Sequence, residues 1–311
     1  MISSRAALLV LGLLAAPHAR GESLTFERGV MATRFAITCH TDDPELAKNA
    51  ANEAFEKADQ INRVASDYIA DSELLALGKH PVGAPLALSP LLFQLISQAR
   101  DIAEKTDGCF DPSIGPLTQL WRESRRRGRL PDAATLEAAR AATGWHKFTL
   151  DPHVSTFVFS HPSMRLDLGG IAKGQAADAM LAVMKSHGIS RTCITAGGDV
   201  RLGDPPPDAS GWKIGVRTFD KTHDTRTLML SNCAVSTSGE LHQSIVIGGI
   251  RYSHIIDPAT GLGLTREVAA TVIAPTATLS DALATACCAA PPGKARDMAI
   301  AAGATEVYLE K

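Results

Sequence analysis

Apolar residues recur at helical spacing over residues 44–64, where Leu46, Ala50, Ala54, Ala58 and Ile61 form one stripe and Pro44 is placed to open the helix. A second stripe of Leu92, Leu95, Ile96 and Ala99 predicts a helix over 89–106, with Ser89 as its cap and Pro90 at its first position. Shorter helices are expected through Leu77, capped by Asp71 or Ser72, over 132–142, capped by Asp132, over 174–187 and over 280–290. Looser alternation over 25–39 predicts a strand pair bending at Met31-Ala32-Thr33. Strands are also expected over 145–168, 192–200, 211–216, 227–230, 268–274 and 306–309, and on both sides of Gly248-Gly249, the second of those running into Arg251–Pro258. Residues 107–117 and 204–208, rich in proline and glycine, break all periodicity and read as stiff loops.

Helices and strands interleave, so the fold class is α/β or α+β, with mixed sheets and surrounding helices. No linker and no repeat interrupts the pattern, and residues 22–311 are expected to form one domain, built of two lobes with a cleft between them. Residues 1–21 stand apart. Arg5 precedes the apolar run Ala7–Ala16, and Ala-Pro-His-Ala at 16–19 offers a small-residue cleavage site, the pattern of a signal peptide. That run is too short to span a bilayer after processing, and no cysteine near its end would carry a lipid. A periplasmic protein without stable membrane insertion is the expectation.

Composition narrows the partners. A net charge of −2 and 5% aromatic residues argue against a nucleic-acid surface. The arginines of residues 121–129 read as a solvated face, with an anionic partner as the lesser alternative. The six cysteines show neither a metal pattern nor a disulfide framework and are expected to be small buried hydrophobes.

Three stretches bring chemistry. Leu-Asp-Leu-Gly-Gly-Ile-Ala-Lys-Gly at 166–174 reads as strand, glycine turn and helix, which brings unpaired N–H groups and Lys173 toward an anion. Asp281 and Thr285 lie four residues apart on a predicted helix and share a face; both offer hard oxygens suited to Mg²⁺, and Thr278 or Ser280 is placed to cap. Taken alone, the pair also fits a first-turn acid and a core filler. His254, flanked by Ser253 and Asp257, is either a structural strand residue or a group that touches a ligand or accepts a proton.

In order along the chain stand Met31-Ala-Thr, Ser66-Asp-Tyr-Ile-Ala-Asp-Ser-Glu73, Phe110-Asp-Pro-Ser-Ile-Gly-Pro-Leu117 and Asp167-Leu-Gly-Gly-Ile-Ala-Lys-Gly174. They are followed by Ala196-Gly-Gly-Asp199, Ser236-Thr-Ser-Gly239, Tyr252-Ser-His-Ile-Ile-Asp-Pro-Ala-Thr-Gly261 and Asp281-Ala-Leu-Ala-Thr-Ala286. This succession resembles the ApbE family of flavin transferases, over about residues 28–310. The resemblance implies a toroid-like α/β fold with FAD in a central cleft and Mg²⁺ on its pyrophosphate. It also implies transfer of the FMN moiety of FAD to a threonine or serine hydroxyl of a target protein, with release of AMP. Family acceptors are flavin-carrying subunits of membrane redox complexes, among them the sodium-pumping NADH:quinone reductase, its electron-bifurcating relatives and a nitrous-oxide-reductase maturation factor.

Carried over by motif, Met31, Tyr68, Cys109, Phe110, Asp111, Asp167, Lys173, His254 and Ile255 line the FAD site. Gly198 and Asp199 of the Ala196–Asp199 stretch and Thr237 of the Thr237–Gly239 stretch contribute. Asp281 and Thr285 are the implied metal ligands, with backbone oxygens near Gly170 and Ala284 completing the shell, and His254 or a nearby carboxylate is the candidate base. Ala32 stands where the family usually has glycine, and Cys109 where a smaller residue such as alanine is common. Two other readings use the same residues: an FAD pyrophosphatase, with water as the nucleophile, and a periplasmic flavin-binding protein without turnover.

Overall fold

The computed structural model describes residues 22–217, 225–239 and 244–310; the signal-peptide expectation for residues 1–21 falls outside them. The chain opens with β1 (Glu22–Val30), β2 (Thr33–Thr41), α1 (Pro44–Ala65), α2 (Glu73–Leu77), β3 (Leu86–Ala87), α3 (Pro90–Lys105), α4 (Gly115–Arg127) and α5 (Ala133–Ala141). The middle holds β4 (Phe148–Asp151), β5 (Thr156–Phe159), α6 (Ala172–Ser186), β6 (Thr192–Ala196), β7 (Asp199–Leu202), β8 (Trp212–Arg217), β9 (Thr225–Leu230) and β10 (Ala234–Gly239). The chain closes with β11 (Ser244–Ile247), β12 (Ile250–Ser253), β13 (Ala269–Ala274), α7 (Ala277–Ala289), α8 (Ala295–Ala301) and β14 (Glu306–Glu310).

A seven-stranded sheet in the order β1-β2-β6-β7-β10-β13-β14 carries the molecule, and every ladder in it is antiparallel. Of the two expected classes, the all-antiparallel sheet with helices packed on it is the α+β arrangement. Helices α1, α6 and α7 pack side by side over this sheet. The stripe that predicts α1 explains the fit: Ala47, Ala50, Ala51, Ala54 and Ala58 are small enough to let α1 close on Ala176, Ala177 and Met180 of α6 in one buried cluster. Helix α7 lies between the sheet and a second layer of α3, β4 and β5. Ala270 and Val272 cover it from one side, and Leu95, Phe148 and Phe157 belong to the same cluster. A helix packed from both sides has no solvent face, which is why its sequence is apolar almost all round.

Both ends of α7 are held by side chains from elsewhere. At its start, Thr276 caps the Leu279 N–H, and the Asp178 carboxylate of α6 accepts from the N–H groups of Ala277 (3.0 Å) and Thr278 (2.8 Å) and from the Thr278 hydroxyl (2.7 Å). At its end, Arg266 Nη2 donates to the carbonyls of Cys288 (2.6 Å) and Ala290 (2.8 Å), which have no helical partner.

Several expectations need correction. Helix α7 starts three residues before Ser280, and neither Thr278 nor Ser280 is its cap; the Thr278 hydroxyl turns to Asp178, while Ser280 Oγ lies 2.8 Å from Ser236 Oγ. The predicted strand 192–200 is a hairpin, β6–β7, because Gly197 (φ 69°) and Gly198 turn the chain. Residues 166–168 are extended, with Leu166 and Leu168 buried, but they join no sheet; this segment runs beside the 112–114 loop, with Asp167 N–H donating to Pro112 O at 2.8 Å. Helix α6 starts at Ala172, earlier than expected, so Lys173 sits in its first turn. The stiff loop ends at Gly115, where α4 begins, and α8 was not expected at all. All six cysteines are free; Cys39, Cys193, Cys287 and Cys288 are buried as expected, whereas Cys109 and Cys233 are only partly buried.

The β1–β2 turn carries strain. Met31 (φ 51°) and Ala32 (φ 56°) both occupy the left-handed region in a two-residue hairpin turn, a conformation that favours glycine or asparagine. Ala32→Gly should raise the free energy of unfolding by about 0.5–1 kcal/mol. A urea titration would show it as a higher midpoint at unchanged slope; an unchanged or lower midpoint would refute the strain.

Candidate active site

Lys173 projects from the first turn of α6 toward two carboxylates from distant parts of the chain. Its Nζ lies 3.0 Å from both oxygens of Asp281 on α7 and 3.0 Å from Asp199 Oδ2, just past the glycine turn of β6–β7. The Gly174 N–H donates to Asp281 Oδ2 at 3.1 Å, one of the unpaired donors at the start of α6. This depends on glycine: a Cβ at residue 174 would stand 2.1 Å from the carbonyl oxygen of Ala277. The missing side chain lets the first turns of α6 and α7 touch backbone to backbone, and that contact brings Lys173 to Asp281. On the next turn, Asp178 holds the start of α7 and accepts from Arg201 Nε of β7 at 2.7 Å.

The electrostatics of this cluster are unbalanced. The side chains of Asp199 and Asp281 are 5% and 7% exposed, and Lys173 supplies one positive charge against their two negative ones. Burial pushes Asp281 up most strongly and the like charge of Asp199 adds to it; Lys173 and the Gly174 N–H oppose, leaving Asp281 at about 6. Burial alone would depress Lys173, but the two carboxylates outweigh it and hold the ammonium well above its usual range. The cluster therefore keeps a fixed cation and a surplus of negative charge.

That surplus sits beside further oxygens. Thr285 is one turn beyond Asp281 on the same face of α7, and Gly170 packs against it: a Cβ at residue 170 would lie 3.3 Å from Thr285 Oγ1 and 3.3 Å from the Phe110 ring. The Asp281 carboxylate and the Thr285 hydroxyl are hard oxygen donors, a chemistry that suits Mg²⁺ better than zinc. Among the described residues no group of three or more His, Cys, Asp or Glu side chains is placed to hold a metal.

The other expected residues lie on several elements. Phe110, Ile255 and Ala284 share one buried cluster, with Met31 and Cys109 packed on it. His254 lies just past the end of β12, at a bend rather than inside a strand. Its surroundings are braced: Trp121 Nε1 of α4 donates to Ser253 O at 3.0 Å, and the Ile255 N–H donates to Ser253 Oγ at 3.1 Å. Asp167 accepts from the Gly169 N–H at 2.8 Å and lies 3.6 Å from Arg122, which binds Asp67 at 2.6 Å and covers the exposed Tyr68 ring at 4.3 Å. Gly198 is exposed at the turn that delivers Asp199.

Two of the expected residues are engaged elsewhere. Asp111 bonds Ser113 with one oxygen and the Trp145 N–H with the other, so its carboxylate organises its own loop. The Thr237 hydroxyl pairs with that of Thr271 across β10 and β13, at 2.8 Å. Asp178, Arg201, Asp67 and Arg122 were not singled out from the sequence as parts of this site. Asp178 meets partners about a hundred positions away, with no local signal, and Arg122 is hidden in a run of like residues.

The ApbE family model matches residues 31–309. The chain is 32% identical over 275 residues to the FAD:protein FMN transferase of Treponema pallidum, covering 83% of this chain and 76% of that protein. It is 30% identical over 302 residues to the FAD:protein FMN transferase of Vibrio cholerae, covering 95% and 89%. Among solved structures, the apo form of the Pseudomonas stutzeri flavinyl transferase ApbE superposes with a TM-score of 0.82 at 25% identity, covering 91% and 90% of the two chains. The ApbE protein of Thermotoga maritima superposes with a TM-score of 0.82 at 29% identity, covering 93% of each.

Two predictions rest on this geometry. Asp178→Ala strands two N–H groups and Arg201, and should cost about 3 kcal/mol of stability, read as a lowered urea midpoint; a loss below about 1 kcal/mol would deny Asp178 its place at the start of α7. The second concerns pH in chelator-treated protein. Because folding raises the Asp281 pKa from 3.8 to about 6, the folded state binds more protons in that interval. Stability should fall as pH rises from 4 toward 6 and level off above it. Asp281→Asn should remove that slope; parallel curves for the two proteins would contradict the assignment.

Proposed function

The chain belongs to the ApbE family, and we infer that it is an FAD:protein FMN transferase. The observation that carries the chemistry is the clasp of Lys173 between Asp199 and Asp281, with Thr285 and Gly170 beside it. In the proposed reaction the oxygen of a threonine or serine hydroxyl on the acceptor attacks the FMN phosphorus of FAD. The new phosphoester bond forms as the bond from that phosphorus to the bridging oxygen breaks, and AMP leaves with that oxygen. Such a transfer needs positioning and stabilisation of charge more than a covalent nucleophile. Lys173, fully protonated in its clasp in the first turn of α6, faces the phosphates. His254, with a reference pKa near neutrality, is the candidate acceptor of the hydroxyl proton. The buried Phe110 and Ile255, with the partly buried Met31 packed on their cluster, keep water from the flavin side.

Mg²⁺ would be held by Asp281 and Thr285 with the backbone of Gly170 and Ala284, and when bound it neutralises pyrophosphate charge and polarises phosphorus. The excess negative charge around Lys173 supports a cation there. Export through residues 1–21 and an acceptor among the flavin-carrying subunits of membrane redox complexes belong to the same proposal; they rest on the N-terminal pattern and on the family resemblance.

Incubating the mature protein with FAD, Mg²⁺ and such a subunit should give flavin fluorescence that survives denaturation of the acceptor, together with AMP. Free FMN without labelled protein would instead identify a pyrophosphatase, and unchanged FAD a binding protein. Asp281→Ala should slow labelling by at least about 100-fold. Undiminished labelling by that variant would overturn the metal assignment.

A further inference from the structure

The chain has a net charge of −2, yet α4 and the residue pair after it carry Arg122, Arg125, Arg126, Arg127 and Arg129 against one acid, Glu123. Glu123 is shared between Arg126, at 3.8 Å, and Arg127, and Arg122 is engaged with Asp67. Arg125 makes no ion pair with a described residue. This is more than a solvated stripe, because it forms one wall of a concavity lined by Arg122, Arg125, Arg126, Ser244 and Ile245.

The opposite wall is β11. Among the described residues it pairs only with β12, so its other edge offers backbone donors and acceptors to an added strand. Val246 on the same strand is 65% exposed, whereas Ile245 packs toward Trp121 and Tyr252. The Trp121 to Ser253 hydrogen bond ties α4 to the base of the hairpin and keeps the two walls together. The Arg122 side chain lines the trough, covers Tyr68 and lies 3.6 Å from Asp167, two residues before Gly169 of the glycine turn.

We propose that this trough docks an acidic, extended segment of the acceptor protein, next to the hydroxyl that receives FMN. The inference rests on the transferase reading above and names the chemistry of its partner. Arg125 and Arg126 pair with carboxylates of the segment, and the free edge of β11 bonds its backbone. The docked segment then runs past Arg122 toward the Lys173 clasp.

The test uses the whole mature protein without FAD or metal and two short fluorescein-labelled peptides. Each has one central threonine, flanked by aspartates in one and by lysines in the other. The aspartate peptide should bind at least about tenfold more tightly by anisotropy, and Arg125→Glu with Arg126→Glu should abolish or reverse that preference. FAD binding by this double variant, followed by flavin fluorescence, should stay within about twofold of the parent, which shows that the fold and the nucleotide site persist. Equal binding of the two peptides, or a preference that survives charge reversal, overturns the proposal. Displacement of the aspartate peptide by single-stranded RNA as readily as by unlabelled aspartate peptide also overturns it, since the face would then bind any polyanion. The readings fail separately. Lost peptide selectivity with intact FMN transfer removes the docking surface alone, whereas intact selectivity without FMN transfer removes the transferase alone.

Discussion

One ammonium held between two buried carboxylates sets the terms for the rest of the molecule. Lys173, Asp199 and Asp281 come from a helix start, a hairpin turn and the middle of a second helix. Burying two like charges within reach of each other is unfavourable unless a cation stands between them, and a single cation leaves the group negative. Hydrophobic packing alone would expel such a group. An uncompensated buried cluster of this kind is a candidate functional site. The sheet and the alanine-faced helices hold the Lys173 ammonium 3.0 Å from each of the two carboxylates.

The closeness of α6 and α7 follows from small residues. Gly174 allows backbone contact, and Asp178 turns that contact into a bond network with Ala277, Thr278 and Arg201. The same approach aligns the start of α6 with the face of α7 that carries Asp281, where the Gly174 N–H donates to the Asp281 carboxylate. Packing, capping and charge placement here are one arrangement seen at three levels.

Much of the fold could be read from the sequence where the signal was local. The stripe of α1, the Ser89-Pro90 start of α3 and the apolar run of α7 each carry their own periodicity, and each forms the expected element. Failures arose where long-range contacts decide. Leu166 and Leu168 alternate like a strand, but their neighbour is an irregular loop, so no ladder forms. Thr278 has the chemistry of a cap, yet Asp178 claims its hydroxyl. Within the site, Lys173, Asp281 and Thr285 stood out by residue type and spacing, and Gly170 through the motif match. The partnership of Lys173 with Asp199 did not, because 26 positions and a hairpin separate them. The Asp111 carboxylate also bonds Ser113 and the Trp145 N–H, a loop-organising role its residue type and position alone do not reveal.

Helix α7 is tied down at both termini, by Asp178 before its first turn and by Arg266 after its last. A helix so moored cannot slide along its axis or unwind from an end when a nucleotide arrives. The turns nearby are held more lightly: the Gly197 N–H donates to the Arg34 carbonyl at 3.0 Å, and Arg122 binds Asp67 and covers the Tyr68 ring. The molecule thus resembles a vice with one fixed jaw: the face of α7 that carries Asp281 and Thr285 is clamped from both ends.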